Sequence, residues 1–185
     1  MPVTLDHRLL DTLERRWREQ SPALISLLQP GLQDDEIDRL AKPLGFPLPD
    51  EVRTWYRWHN GSSNRAVVLQ RSFRTLSEDV ARTLEFEEDD EAWPKGWMKV
   101  MDEKPFVIFD CRGSATAPVP VWHFEYSFDH DHPTRPVFDS IGDMVSFWIE
   151  LIDDGQITWD ATGEEHIRQP IPDAILQRMT GVPTD

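Results

Sequence analysis

Six residues between positions 123 and 132 carry side chains that bind metals or move protons: His123, Glu125, Asp129, His130, Asp131 and His132. His123 and Glu125 stand two apart in an alternating stretch, so on a strand they share a face about 7 Å apart. The other four fall in a turn before Pro133. Imidazoles with carboxylates are donors for zinc or manganese. No fixed interval such as His-Glu-x-x-His completes a site, and Asp and His ahead of a proline are ordinary turn composition. No metal is expected.

Nucleophilic chemistry has less to stand on. The chain has no Gly-x-Ser-x-Gly elbow, no phosphate-cradling glycine loop and no Gly-x-Gly-x-x-Gly. His59 shares a helical face with Tyr56, beside Asn60, and no acidic or nucleophilic partner is fixed by spacing, so it reads as a core or capping histidine. Cys111 is the single cysteine. It follows an apolar strand, reads as a buried thiol, excludes an intrachain disulfide and suits a reducing compartment. Asp153-Asp154 closes an apolar helical face and reads as a solvated end. Neither a catalytic residue nor a cofactor is expected.

The run Glu85, Glu87, Glu88, Asp89, Asp90, Glu91, interrupted only by Phe86, repels itself and cannot be buried together. Its plain reading is a solvated loop. Its functional reading is a partner-binding platform of Glu87, Glu88, Asp89, Asp90 and Glu91, with Phe86 and Trp93 as flanking anchors; aromatic residues bordered by charge are typical of binding hot spots. The net charge of −15 over 185 residues argues against nucleic acid as a direct ligand, which demands Lys and Arg. It suits a basic protein partner, which opposite charge would steer.

These residues need a scaffold, and the length suffices for one domain with a real core. Eight tryptophans exclude a disordered chain. Trp17, Trp55, Trp97, Trp122 and Trp148 fall on core faces, leaving Trp58, Trp93 and Trp159 for the surface. There is neither a basic-then-apolar N-terminus nor a run of about eighteen apolar residues, so no signal peptide or membrane span is expected and the cytoplasm is the expected location.

Apolar periodicity predicts helices over 5–20, from 22 through 28, from 34 to 41 and from 48 to 60, the last with Val52, Trp55, Tyr56 and His59 on one face. Pro49 suits its first turn, with Asp50 and Glu51 at the positive dipole end. Strands are predicted at 66–69, 97–101, 106–109, 122–128 and 137–138; the continuously apolar 106–109 is the central one. A helix capped by Ser77 carries Val80 and Leu84, with Phe86 as a further candidate for its apolar face. Another, capped by Ser140, presents Ile141, Met144, Val145, Trp148, Leu151 and Ile152 on one side and ends at Gly155. After Gly155 the chain reads as irregular, anchored by Trp159, with helical turns over 172–179. The class is α+β: N-terminal helices, then an antiparallel sheet covered by helices. One domain is expected over 1–185, with its core at about 20–155 and a C-terminal extension over 156–185.

Leu44-Gly45, Leu48-Pro49, an aromatic-rich helix and His59-Asn60-Gly61 together resemble the signature of the SUKH superfamily. Trp93-Pro94 with Trp97, then the apolar strand ending in Asp110, and Pro136-Val137-Phe138-Asp139-Ser140 before a long helix match it in order. One departure is Ala117-Pro118-Val119-Pro120, where members often have a glycine-led strand. The resemblance implies the fold and no shared catalytic residues. Its founding members are fungal cell-wall-assembly regulators, and most bacterial members resemble immunity proteins of toxin systems. It implies a protein that binds and neutralises a basic toxin domain, a nuclease or a deaminase, or else a housekeeping interaction module without a toxin. The sequence leaves the oligomeric state open.

Overall fold

Residues 1–63, 67–90, 93–101, 106–124 and 135–180 are described by the structure, a computed structural model. The predicted helical periodicity is realised in the first third. Helix α1 (His7–Gln20) starts where the Asp6 side chain accepts from the Leu9 N–H, and it buries Leu10, Leu13 and Trp17. Proline opens the short α2 (Pro22–Ile25). Strand β1 (Leu28–Pro30) follows, then α3 (Asp34–Ala41), whose Gln33 and Glu36 form a capping box. A 3₁₀ turn over Lys42–Leu44 ends at Gly45, and α4 (Asp50–Trp58) begins after Pro49.

Two of these elements differ from the sequence reading. The second helix stops at Ile25, and α4 stops at Trp58 rather than at Asn60. The freed residues make β1 and β2 (His59–Ser62), an antiparallel pair with Leu28 opposite Ser62 and Pro30 opposite His59. Strands this short contain too few residues to display a period of two.

The triplet His59-Asn60-Gly61 is consequently a junction rather than only a helix stop. The His59 Nδ1 lies 2.7 Å from the Gln29 carbonyl oxygen and so donates to it, while Nε2 stands 3.4 Å from Glu14 Oε2. Asn60 Oδ1 accepts from the Leu76 N–H at 2.8 Å, anchoring the start of the next helix. Gly61 has φ +95°, and a Cβ there would meet the Arg74 carbonyl carbon at 2.9 Å. Each residue of the triplet has a structural task, and His59 is a capping histidine as its neighbours implied.

Helix α5 (Leu76–Asp89) is capped by Thr75, not Ser77: Thr75 Oγ1 accepts from the Glu78 N–H, and Glu78 returns a bond to the Thr75 N–H. Strands β3 (Trp97–Val100), β4 (Phe106–Asp110) and β5 (Val121–Phe124) form an antiparallel sheet with β4 central, as predicted. The Ser140 hydroxyl caps α6 (Ile141–Asp153) by accepting from the Asp143 N–H. Beyond Gly155 the expected irregular segment is instead a hairpin of β6 (Ile157–Trp159) and β7 (Glu165–Ile167), followed by α7 (Asp173–Thr180). The expected strands at 66–69 and 137–138 reduce to single bridges, Val68 to Arg71 and Phe138 to Val121. Residue 66 itself, and the 125–128 part of the strand predicted over 122–128, lie outside the described residues.

Both faces of the three-stranded sheet are covered, although the alternation of Trp122 and Phe124 with His123 and Glu125 describes a strand with one wet face. Met98, Val107, Phe109 and Val121 join the main core with α1, α4 and α6, and His123 faces the same way, its ring centroid 6.2 Å from that of Phe138. The opposite face carries a smaller cluster of Trp93, Trp97, Ile108 and Phe124, with Phe86, Phe106 and Trp122 against it. The C-terminal hairpin belongs to the main core through Ile157 and Trp159. Glu165 also clasps the turn before α5, accepting from the N–H groups of Leu69 and Gln70.

Candidate protein-interaction surface

The acidic run lies on a helix and not in a loop. Glu85, Glu87, Glu88 and Asp89 occupy the end of α5, Asp90 is its C-cap, and Glu91 lies outside the described residues. The apolar residues of α5 explain why. Leu76, Val80 and Thr83 are buried, and the Thr83 hydroxyl donates to the Asp79 carbonyl while accepting from the Lys99 N–H, which ties the helix to β3. One turn further on, the Phe86 ring packs 5.0 Å from Trp93 and 5.7 Å from Phe106. The aromatic contact carries the helix forward through its own charges.

Electrostatically this is the wrong end for acids. A helix C-terminus carries about half a negative charge and favours cations, yet α5 has no basic residue in its last turn. Arg82 offsets Glu85 at 2.7 Å, and that exposed pair is worth little. Glu85, Glu88 and Asp89 are exposed; Glu87 and Asp90 are half-buried. The Glu87 Oε1 is shielded from solvent and has no hydrogen-bond partner among the described residues.

The two aromatic anchors separate. Phe86 is half-buried at the edge of the platform, whereas Trp93 is 5% exposed and packs edge-on against Trp97 and Phe124. Trp93 therefore supports the platform from below and offers no free ring. Trp58 and Trp159 are buried too, and Trp122, placed in the core by its spacing, is the half-exposed one. The main core absorbs the first two because α1, α4 and the C-terminal hairpin converge on it.

Sequence reasoning missed Lys99. It is 5% exposed, and its ammonium sits 4.2 Å from the Phe106 ring centroid and 5.0 Å from that of Phe86. Burial, with the charges of Arg74 and Arg82, brings it down to about 8. The available signal was a cation inside the otherwise apolar Trp97-Met98-Lys99-Val100.

Beneath the same helix, the Tyr56 hydroxyl donates to Asp79 Oδ2 at 2.5 Å. Burial pushes the Asp79 carboxyl from 3.8 up to about 8 against the pull of that bond, and burial likewise raises Tyr56, with Asp79 adding to it. Between those two Asp79 values the folded chain holds a proton that the unfolded chain has released, so stability falls as pH rises through that window. Asp79→Asn cannot ionise and should flatten the fall, gaining on the wild type up to about pH 8 and staying level beyond. Melting temperatures across the range, with parallel curves as the contrary result, decide it.

Among the described residues, the other sequence-predicted groups do not assemble a reactive centre. Cys111 is buried, and burial followed by the Asp110 charge pushes its thiol up to about 12, far from a thiolate at neutral pH. Glu125, Asp129, His130, Asp131 and His132 lie outside the described residues. Among the described residues no three His, Cys, Asp or Glu side chains converge as metal ligands, and no helix is long and apolar enough to cross a membrane.

A model of the SMI1 / KNR4 family (SUKH-1) matches residues 31–146, more than half of the chain and the whole of the acidic helix. No curated protein matches it.

Proposed function

The chain belongs to the SMI1 / KNR4 family (SUKH-1), and from that premise we propose that it is an immunity-type protein that works in the cytoplasm by binding rather than by catalysis. Its partner is a basic toxin domain, a nuclease or a deaminase, which it neutralises by occupying it. The observation that carries this reading is the acidic end of α5, built against its own helix dipole and held out by Phe86. A cationic partner would relieve that conflict. The net charge of −15 supports the same partner through long-range steering.

The test begins with affinity capture of the tagged chain from its native organism, followed by association kinetics with the captured protein. Changing Glu87, Glu88, Asp89, Asp90 and Glu91 to their amides should slow association about tenfold or more at low salt. The difference should shrink as salt shortens the field to about 8 Å at physiological ionic strength. The same variant should melt no lower than the wild type, because removing acids from a helix C-terminus relieves the dipole. A captured partner that is not basic, or rates that the amides leave unchanged, would refute the toxin-binding reading and favour a housekeeping interaction module.

A further inference from the structure

Away from the acidic helix, the loop after β4 faces the segment leading into α4 across a cleft of about 360 Å³. Phe46, Pro47 and Pro49 supply an apolar wall, Lys95 and Arg112 supply cations, and Ala115 contributes to the rim. The Ala115 carbonyl accepts from the Asp50 N–H at 2.8 Å, which fixes the loop to the start of α4.

Arg112 is held in place before any ligand arrives. Its Nε donates to Asp110 Oδ1 at 2.7 Å and its Nη2 to Asp110 Oδ2 at 2.6 Å. The guanidinium also lies 5.7 Å from the Trp97 ring centroid. Gly96 makes room for the stem: it has φ +92°, and a Cβ there would meet Arg112 Cγ at 2.8 Å. Asp110 balances the Arg112 charge but engages one edge of the fork, and Nη1 bonds no acceptor among the described residues. Lys95 is exposed and makes no ion pair among the described residues.

The geometry points to a binding site for the C-terminal residue of a peptide, with its carboxylate between Lys95 and the Nη1 edge of Arg112 and an apolar side chain against Phe46, Pro47 and Pro49. A fixed arginine fork loses little freedom on binding a carboxylate. A positive, apolar-walled cleft in a chain of net charge −15 selects an anion with an apolar body, opposite to what the α5 platform selects. Both features must come from one small group, and a terminal apolar residue carries both on a single Cα. A glutamate side chain supplies the charge without the apolar body. The site is independent of the toxin-binding reading.

Titration of the full chain with acetyl-Gly-Gly-Leu, followed by calorimetry and by the Trp97 indole signal, tests it. The free acid should bind saturably, and its C-terminal amide at least about tenfold more weakly, as expected for a lost charge-assisted pair. Amidated acetyl-Gly-Gly-Glu should bind as weakly as the leucine amide. Lys95→Gln, an exposed change that spares the Arg112–Asp110 pair, should weaken the free acid several-fold while leaving the melting temperature unchanged. Equal binding of acid and amide, equal binding of the glutamate peptide, indifference to Lys95→Gln, or no saturation by any peptide would each overturn the assignment.

Discussion

Phe109→Asp should leave the chain unable to hold its native state. Phe109 is fully buried at the centre of β4, between Met98 and Val121, with its ring edge-on to Trp55 at 6.1 Å. Truncating a buried phenylalanine costs about 3–5 kcal/mol through lost transfer energy and the cavity left behind. A carboxylate in its place adds several kcal/mol of desolvation, and the sum rivals the roughly 5–15 kcal/mol that holds an ordinary domain together. Next door, Ile108 is also fully buried but stands opposite Lys99 in the register. An aspartate there would face a cation, so its cost should be smaller. Circular dichroism melts would read both, with Phe109→Leu as a control that keeps a cooperative transition. A soluble Phe109→Asp protein with a cooperative melt near that of the wild type would show that β4 is not the centre of the core.

Glu51→Ala should be the most damaging removal of a charge. The side chain is 2% exposed, and each oxygen has a distant partner: the Leu5 N–H at 2.6 Å and the Val119 N–H at 2.7 Å. One carboxylate thus joins the N-terminal segment, α4 and the proline-rich connection into β5. Removing it strands two buried donors, at about 3–5 kcal/mol in total. The damage should spread along the N-terminus, which continues as a staple onto α6. There Ser140 donates to the Val3 carbonyl and Asp143 accepts from the Val3 N–H, and a Cβ at Gly142 would stand 2.0 Å from the Val3 oxygen. Glu51→Gln retains one acceptor and should lose about half as much. Hydrogen exchange at Leu5 and Val119 is the decisive readout. Protection that survives in Glu51→Ala would show that the carboxylate is not the clamp.

The proline-rich connection shows how a family departure can still serve the fold. Ala117-Pro118-Val119-Pro120 replaces a glycine-led strand, yet Val119 is buried and bonded to Glu51, and the Pro120 carbonyl accepts from the Asp110 N–H. Prolines cannot donate to a ladder. The two donors that matter here come from Val119 and Asp110, so the connection is satisfied without a strand.

How legible the molecule was from its residues depended on the range of the interaction concerned. Helices α1, α3, α4, α5 and α6 and the central β4 followed from intervals of three and four or from a continuous apolar run, because both signals are written in consecutive residues. Capping at Ser140 and the buried thiol of Cys111 were local in the same sense. The family assignment, and with it the α+β architecture, also rested on short ordered motifs.

What only the tertiary structure decided were the partners that distant residues find. The strand pair β1–β2 and the hairpin β6–β7 are too short to show a period and exist because another segment supplies their bonds. The acidic run extends a helix because Phe86 meets Trp93 and Phe106 across a gap that spacing does not encode. Trp93 is buried for the same reason. Lys99 finds its rings, Glu51 its two amides, and Asp79 its tyrosine only when α4, α5 and the sheet are stacked. By itself the sequence determined the buried faces of α1, α4 and α6 and which of the longer helices must form, since hydrophobicity and capping act over a few residues. Which polar groups are buried with them, and at what pKa, was left to packing, because desolvation and hydrogen bonding depend on neighbours that only the folded chain brings together.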